Sequence, residues 1–214
     1  MPRQNRVTPF SSIVAESARG TLTGNRGCLH DDQQNVRRHF QGTRWIICLL
    51  EFKGRKRTLM TPGHYTELFF LDEATALAAG HRPCAECQRE RFTRFRELWA
   101  MANPELAGTP RPAATVLDAA LHEERTAAVD HGNRSCMSIE NMPDGVFVTG
   151  DEHNAYLVLA GQLLRWSPAG YERPTAPLQY PARVLTPASV VRTLATGYAA
   201  GILGSAFEAL EQGK

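Results

Sequence analysis

A pair of cysteines separated by two residues constrains this chain more than any other feature of its sequence. Cys84 and Cys87 enclose Ala85 and Glu86, and in a reducing compartment this spacing indicates half of a zinc site or a redox pair. A thioredoxin-like pair follows a strand directly, whereas this sequence predicts a helix and an Arg-Pro turn before the motif. Five cysteines in 214 residues do not make a disulfide scaffold. The motif therefore predicts a zinc ion, with a redox pair and unliganded cysteines as the alternatives.

The residues around the motif predict a strand, a helix, a turn and a second helix. The apolar run 68–71 is typical of a buried strand, and Asp72 suits the N-cap of a helix over 74–79. Gly80 suits the position after the end of that helix, and Pro83 prevents the helix from continuing. After the motif, apolar residues recur on one helical face: Phe92, Phe95, Leu98 and Trp99. The C-x-x-C is thus expected at a knuckle between two helices.

The helix and the knuckle carry a resemblance to a known family. The residues concerned are Ala76-Leu77-Ala78-Ala79-Gly80, then Arg82-Pro83-Cys84, then Cys87. Over residues 20–100 the chain resembles the zinc-binding domain of the Ada family of DNA alkylation-repair proteins. The resemblance implies a short β-sheet with helices around the knuckle, Zn²⁺ as cofactor, and a role in DNA binding or DNA-damage handling. In that family a zinc-bound cysteine accepts a methyl group from a DNA phosphotriester. The matching position here is His30, so methyl transfer is not the expected activity.

A closed zinc site needs four nitrogen or sulfur ligands in a tetrahedron. Cys84 and Cys87 supply two of them. The resemblance implies that the others come from an upstream segment, where His30 takes the place of a cysteine. Cys28 is the first choice for the fourth ligand because it shares a strand face with His30. The alternatives are Asp31, Asp32 and His39.

The strongest strand prediction covers residues 45–53, which are rich in β-branched and aromatic side chains and are bounded by glycines. Residues 55–60 follow after a single glycine, which predicts a β-hairpin with basic residues at its tip. Cys48 lies in the middle of the strand and is expected in the core. His81, next to the knuckle, is expected to support the metal site or to face solvent.

Basic residues are concentrated in the first part of the chain. The first 100 residues contain 16 Lys and Arg against 10 Asp and Glu, and the remainder contains 8 against 12. A basic surface suits a polyanion, so nucleic acid is the expected partner, DNA rather than RNA. Trp45 and Tyr65 are candidates for stacking on bases, with the core as the alternative. Phosphate contacts are expected from Arg55, Lys56, Arg57, Arg82 and Arg89, with a solvated surface as the alternative.

A stretch rich in proline divides the chain. We expect an α+β protein made of an N-terminal arm (1–19), an Ada-like zinc-binding domain (20–105), a Pro-rich linker (106–116) and a small C-terminal α+β domain (117–214). The apolar runs are far shorter than the ~20 residues of a membrane helix, and no signal peptide is visible. The sequence therefore predicts a cytoplasmic protein without a membrane partner.

An enzyme is the second functional hypothesis. His122, Glu124 and Arg125 lie on a predicted helix and offer an acid–base pair and a cation for a substrate. The alternative is a cluster of surface charges. On the enzyme hypothesis, zinc stabilises a protein that acts on a nucleotide or nucleobase-like substrate at the cleft between the domains. The H-x-E and P-C-x-x-C fragments occur in the reverse of their order in zinc deaminases, which argues against that class.

Overall fold

The chain forms two β-sheets and six α-helices within the part that its computed structural model describes. That part comprises residues 1–55, 58–131, 139–173 and 182–211, without the side chains of 127–131 and 140. The α+β class predicted from the sequence is confirmed. No helix in these ranges is long and apolar enough to cross a membrane.

The first sheet has six strands, and its order differs from the order of the chain. The strands are β1 (Gln4–Val7), β2 (Ile13–Ala15), β3 (Leu22–Asn25), β4 (Ile46–Leu49), β5 (Leu68–Phe70) and β6 (Arg82–Pro83). The sheet order is β2-β1-β5-β3-β4-β6. The pairs β1–β5 and β4–β6 are parallel and the other pairs are antiparallel. Strand β6 is only two residues long, but it brings the knuckle to the edge of the sheet.

The N-terminal residues form a hairpin rather than the loose arm that the sequence predicts. Strands β1 and β2 pair with each other, and β1 continues the sheet through Arg6 and Phe69. Val7 and Ile13 are buried in the main core. The Arg6 guanidinium carbon lies 4.7 Å from the centre of the Phe69 ring. A few apolar side chains are therefore enough to hold a polar segment on the sheet.

A glycine permits the close approach of three strands. Gly24 in β3 pairs with Ile47 of β4 and with Leu68 of β5. A Cβ atom at Gly24 would meet the carbonyl of Ile46 and the ring of Phe70 at under 3.0 Å. The centre of the sheet thus accepts no side chain at this position.

Four helices lie between β5 and the second sheet: α1 (Glu73–Ala78), which precedes β6, and then α2 (Arg89–Ala102), α3 (Pro104–Ala107) and α4 (Ala114–His131). Asp72 is the N-cap of α1, as predicted, and its carboxylate accepts hydrogen bonds from the backbone N–H and the hydroxyl of Thr75 at 2.9 and 2.8 Å. The predicted apolar face of α2 is buried. Helix α2 therefore packs its aromatic side inward directly after the knuckle.

The second sheet is antiparallel and lies in the last third of the chain. Its strands are β7 (Phe147–Thr149), β8 (Tyr156–Leu159), β9 (Gln162–Ser167), β10 (Gly170–Glu172) and β11 (Arg183–Val184), in the order β10-β9-β8-β7-β11. Two helices follow: α5 (Ala188–Ala195) and α6 (Gly204–Glu211). Strand β8 is buried along its whole length, so it forms the centre of this layer.

One hydrophobic core joins the two parts of the chain. Ile47 of the first sheet, Trp99 of α2 and Val158 of the second sheet belong to the same buried cluster. Buried carboxylates add polar links, because Asp72 also accepts a hydrogen bond from the Tyr171 hydroxyl at 2.7 Å. Burial raises the pKa of Asp72 above its ordinary value. The predicted boundary at residues 106–116 stays a prediction, while the core is continuous across it.

Candidate metal centre

Three cysteines come together where β4, β6 and the start of α2 meet. The parallel pairing of β4 and β6 places Ile47 opposite Pro83, so the next residues, Cys48 and Cys84, are neighbours at the edge of the sheet. The Cys84 N–H donates to the Ile47 carbonyl at 2.9 Å. The turn 84–88 then returns Cys87 to the same place, because the Gln88 side-chain amide donates to the Ile47 carbonyl at 2.9 Å.

The sulfur atoms of Cys48, Cys84 and Cys87 lie within 4.8 Å of one another. All three are free thiols; Cys84 is buried and the other two are partly buried. Tetrahedral coordination with Zn–S bonds of about 2.3 Å separates the sulfurs by about 3.8 Å. The cluster therefore needs only a small contraction to hold a metal ion.

The pKa values of the three thiols are shifted in different directions. A hydrogen bond from the Cys48 thiol lowers the pKa of Cys84 to about 5, and the backbone N–H groups of Glu86 and Cys87 act in the same direction. The hydrogen bond to Cys84 and burial raise the pKa of Cys48, and burial raises the pKa of Cys87. At neutral pH the cluster thus holds one thiolate, at Cys84. A divalent cation would displace the other two protons.

His30 and Cys28, the ligands predicted upstream, lie outside the three-cysteine cluster. The ring nitrogens of His30 lie 2.6 Å from the Thr66 hydroxyl and 3.2 Å from the Thr61 carbonyl. The Cys28 thiol contacts the carbonyl of His30 at 3.8 Å. The alternative Asp31 pairs with Arg37 at 2.6 Å. None of these side chains, nor Asp32 or His39, joins the group of potential metal ligands found among the described residues.

Cys48, which the sequence predicts in the core, lies beside Cys84 and Cys87 where Cys28 and His30 were predicted to lie. Strand β4 alternates, with Ile47 fully buried and its neighbours partly exposed. Cys48 therefore lies on the face opposite to Ile47, and that face carries the knuckle. Residues 46–49 are Ile-Ile-Cys-Leu, without any alternation of apolar and polar residues, so the sequence indicates neither this orientation nor the parallel contact with β6.

Arg82 lies in the interior rather than on a surface for nucleic acid. Its guanidinium donates to both carboxylate oxygens of Asp118 at 2.8 and 2.9 Å and to the Pro83 carbonyl at 3.0 Å. The side chains of Arg82 and Asp118 are 3% and 4% exposed. This pair fixes β6 to α4, and a phosphate cannot reach it.

The other predicted phosphate contacts lie near the cysteines or outside the described residues. Arg55 and Arg89 are exposed, and Arg55 pairs with Glu86 at 2.6 Å. Lys56 and Arg57 lie outside the described residues. Arg55 closes a turn, because its backbone N–H donates to the Phe52 carbonyl at 3.1 Å, and β4 ends at Leu49, before the predicted end of the strand at residue 53.

The charged triplet on α4 does not form an acid–base site. Glu124 accepts hydrogen bonds from the N–H and the hydroxyl of Ser189 at 2.9 and 2.7 Å, which ties α4 to the start of α5. The Arg125 guanidinium carbon lies 3.9 Å from the centre of the Trp45 ring. His122 contacts Phe40 edge-on, with ring centres 5.0 Å apart. Trp45 is 3% exposed, so its indole is not available for stacking on a base.

Comparison of the chain with protein-family models, with curated proteins and with solved structures finds no match. The three sulfurs and the charges around them are therefore the features of this chain that bear on its function.

Proposed function

We propose that this chain is a zinc-binding protein whose ion is held by Cys48, Cys84 and Cys87. The supporting observation is the approach of the three sulfurs to within 4.8 Å of one another. Thiolate sulfur favours zinc, copper(I) and iron–sulfur clusters over magnesium and calcium. Zinc is the ion that most often occupies tetrahedral thiolate sites in which a C-x-x-C contributes two ligands.

The proposed ion links β4 to the knuckle between β6 and α2, which is more than 30 residues later in the sequence. Cys48 belongs to β4, Cys84 follows β6, and Cys87 precedes α2. A bond from each element to one ion would fix the knuckle on the edge strand, where two residues of β6 alone give few backbone hydrogen bonds. Three protein ligands leave the fourth tetrahedral position to water or another donor, as in zinc sites that keep an open position.

Metal analysis of cysteine variants tests the proposal. We expect one zinc per chain in the reduced wild-type protein and three sulfurs in its zinc X-ray absorption spectrum. Cys48→Ser is expected to lose most of its zinc because a hydroxyl replaces one thiolate. Cys28→Ser is the matched control and is expected to keep a full zinc equivalent. Full zinc in Cys48→Ser, or its loss in Cys28→Ser, would contradict this ligand set and favour the upstream one.

A nucleic-acid-binding face beside the cysteines is a second candidate function. Lys53 and Arg55 are exposed and lie against the Phe52 ring, at 5.1 and 5.4 Å from its centre. Arg89 is exposed two residues after Cys87. Basic side chains next to an aromatic ring are typical of surfaces that follow a nucleic-acid backbone. The DNA-repair role implied by the family resemblance would use this face.

Salt-dependent binding tests this candidate. We expect the double variant Arg55→Ala/Arg89→Ala to bind double-stranded DNA more weakly than the wild type. Its slope of log K against log salt should be shallower by about two, because each phosphate contact contributes about one. Arg111→Ala/Arg165→Ala is the matched control, since these arginines are 74% and 45% exposed and lie away from the cysteines in sequence. Equal slopes in the two double variants would exclude this face as the DNA-binding surface. In a separate comparison, RNA of the same length is expected to bind the wild type less tightly than DNA.

A further inference from the structure

Two arginines and a histidine lie together around Trp45, apart from the three-cysteine cluster. The guanidinium carbons of Arg125 and Arg26 lie 3.9 and 4.5 Å from the centre of the Trp45 ring. The His81 ring centre lies 5.2 Å from the same indole. Arg26 and His81 are 1% and 0% exposed. Two guanidinium groups and an imidazole are thus gathered around one aromatic side chain in the interior.

Most hydrogen-bonding atoms of this group have no partner among the described residues. This holds for the buried Nε, Nη1 and Nη2 of Arg125 and for Nε of Arg26. The ring nitrogens of His81 also lack a partner with good hydrogen-bond geometry, although the backbone of Ala76 and Ala79 acts on the imidazole. The other nitrogens of Arg26 donate to the hydroxyl and the carbonyl of Ser11, each at 2.9 Å. Because buried polar groups are nearly always paired, several unpaired donors in one place require an explanation.

The neighbouring carboxylates favour the charged form of Arg125 from a distance but make no direct ion pair with it in the described part of the chain. Asp118 and Glu124 are the acids whose charges act on its guanidinium. Asp118 binds Arg82 through both oxygens. Glu124 accepts two hydrogen bonds from Ser189. The Arg125 guanidinium therefore has no hydrogen-bonded counterion among the described residues, and burial without such a partner costs free energy in the absence of a ligand.

The charges within the group also act on one another. Burial lowers the pKa of Arg26 and of Arg125 to about 9, and the Arg26 charge lowers the pKa of Arg125 further. Burial, together with both guanidinium charges, holds the pKa of His81 well below its ordinary value. Since His81 experiences both guanidinium charges, the three side chains share one electrostatic environment that favours an anion.

We propose that Arg125, His81 and Arg26 form a binding site for a doubly charged tetrahedral oxyanion, a phosphate group. A dianion would neutralise both guanidinium charges, whereas a carboxylate would leave one of them uncompensated. The unpaired atoms are predominantly donors, and the planar fork of a guanidinium matches two oxygens of a phosphate. The same chemistry is presented by free phosphate and by the phosphate of a nucleotide.

Phe40 lies between Trp45 and solvent, on the side from which we expect an anion to enter. Its ring is 39% exposed and lies 5.6 Å from the Trp45 ring, centre to centre. Phe40 belongs to an irregular segment before β4, which is tied to Arg26 by a hydrogen bond from the Gln41 N–H to the Arg26 carbonyl at 2.8 Å. A displacement of this ring would connect the buried donors with solvent.

Thermal denaturation of the full, zinc-loaded chain tests the site. Inorganic phosphate, sulfate and adenosine 5′-monophosphate are compared with sodium chloride at equal ionic strength. We expect at least one of the three anions to raise the Tm of the wild type beyond the chloride effect. Arg125→Met should weaken binding of that anion by about 30-fold or more, since a buried charged hydrogen bond is lost. Arg94→Met, which changes an exposed arginine of α2, should bind as the wild type does.

The arms of the experiment separate the two sources of phosphate. A response to phosphate and sulfate indicates a free oxyanion, and a response to the nucleotide alone indicates a phosphate carried by a larger ligand. Both results support the site. No response beyond chloride to any of the three would overturn it, as would equal responses in Arg125→Met and the wild type.

A measurement on the wild type covers the case in which Arg125→Met does not fold. The Nε–H resonances of Arg125 and Arg26 are expected to shift in nuclear magnetic resonance spectra as the anion is added, and to saturate at one anion per chain. Shifts confined to exposed arginines such as Arg94 would overturn the proposal.

Discussion

Removal of zinc by a chelator is expected to unfold the protein near room temperature. Structural zinc contributes about 10–16 kcal/mol at neutral pH, whereas a whole domain is stable by only about 5–15 kcal/mol. Loss of the ion would also leave Cys84 as a buried thiolate without its counterion. Because residues of both sheets share one core, we expect a single unfolding transition in far-ultraviolet circular dichroism rather than the loss of the first sheet alone.

Re-addition of zinc and a cysteine variant control this experiment. Added zinc should restore the ellipticity of the wild type, since the ligands remain in place. Cys84→Ser, which is expected to lack the ion, should melt at a low temperature that the chelator does not change. A wild-type Tm that is the same with and without chelator would show that the ion does not support the fold.

Asp118→Ala is expected to lower the free energy of unfolding by about 3–5 kcal/mol, the usual cost of breaking a buried ion pair. The substitution would leave the guanidinium of Arg82, which is 3% exposed, with only the Pro83 carbonyl as a partner. Urea denaturation followed by fluorescence measures the change. Glu97→Ala is the matched control, because Glu97 pairs with Arg111 at 3.3 Å on the surface and such pairs contribute about 0–1 kcal/mol.

A double variant separates the value of the pair from the cost of breaking it. Arg82→Met/Asp118→Leu is expected to recover most of the stability lost in Asp118→Ala, since apolar side chains of similar size can replace a buried ion pair. An effect of Asp118→Ala no larger than that of Glu97→Ala would mean that Arg82 finds another partner.

Local features of the sequence predicted the elements around the knuckle. The N-cap at Asp72 and the buried face of α2 depend on residues three or four positions apart, and the structure confirms both. These features were predictable because neighbours along the chain determine them.

Features that depend on distant pairings were not predicted. Cys48 meets Cys84 only because β4 and β6 lie side by side, and two residues of strand give no periodic pattern. The sequence predicts a phosphate contact for Arg82 because the partner of its guanidinium, Asp118, lies on a helix much later in the chain and gives no local signal. In both cases the residue type was informative, but the partner was set by tertiary structure.

The common core has a consequence for modularity. Phe95 and Trp99 from the first part of the chain belong to the same apolar cluster as Val158 and Val190 from the last part. A piece that ended near residue 105 would carry the knuckle but would expose its inner surface to water. We therefore expect the part that carries the cysteines to depend on the second sheet for its stability, so that transfer of this part alone into another protein would not yield a folded unit.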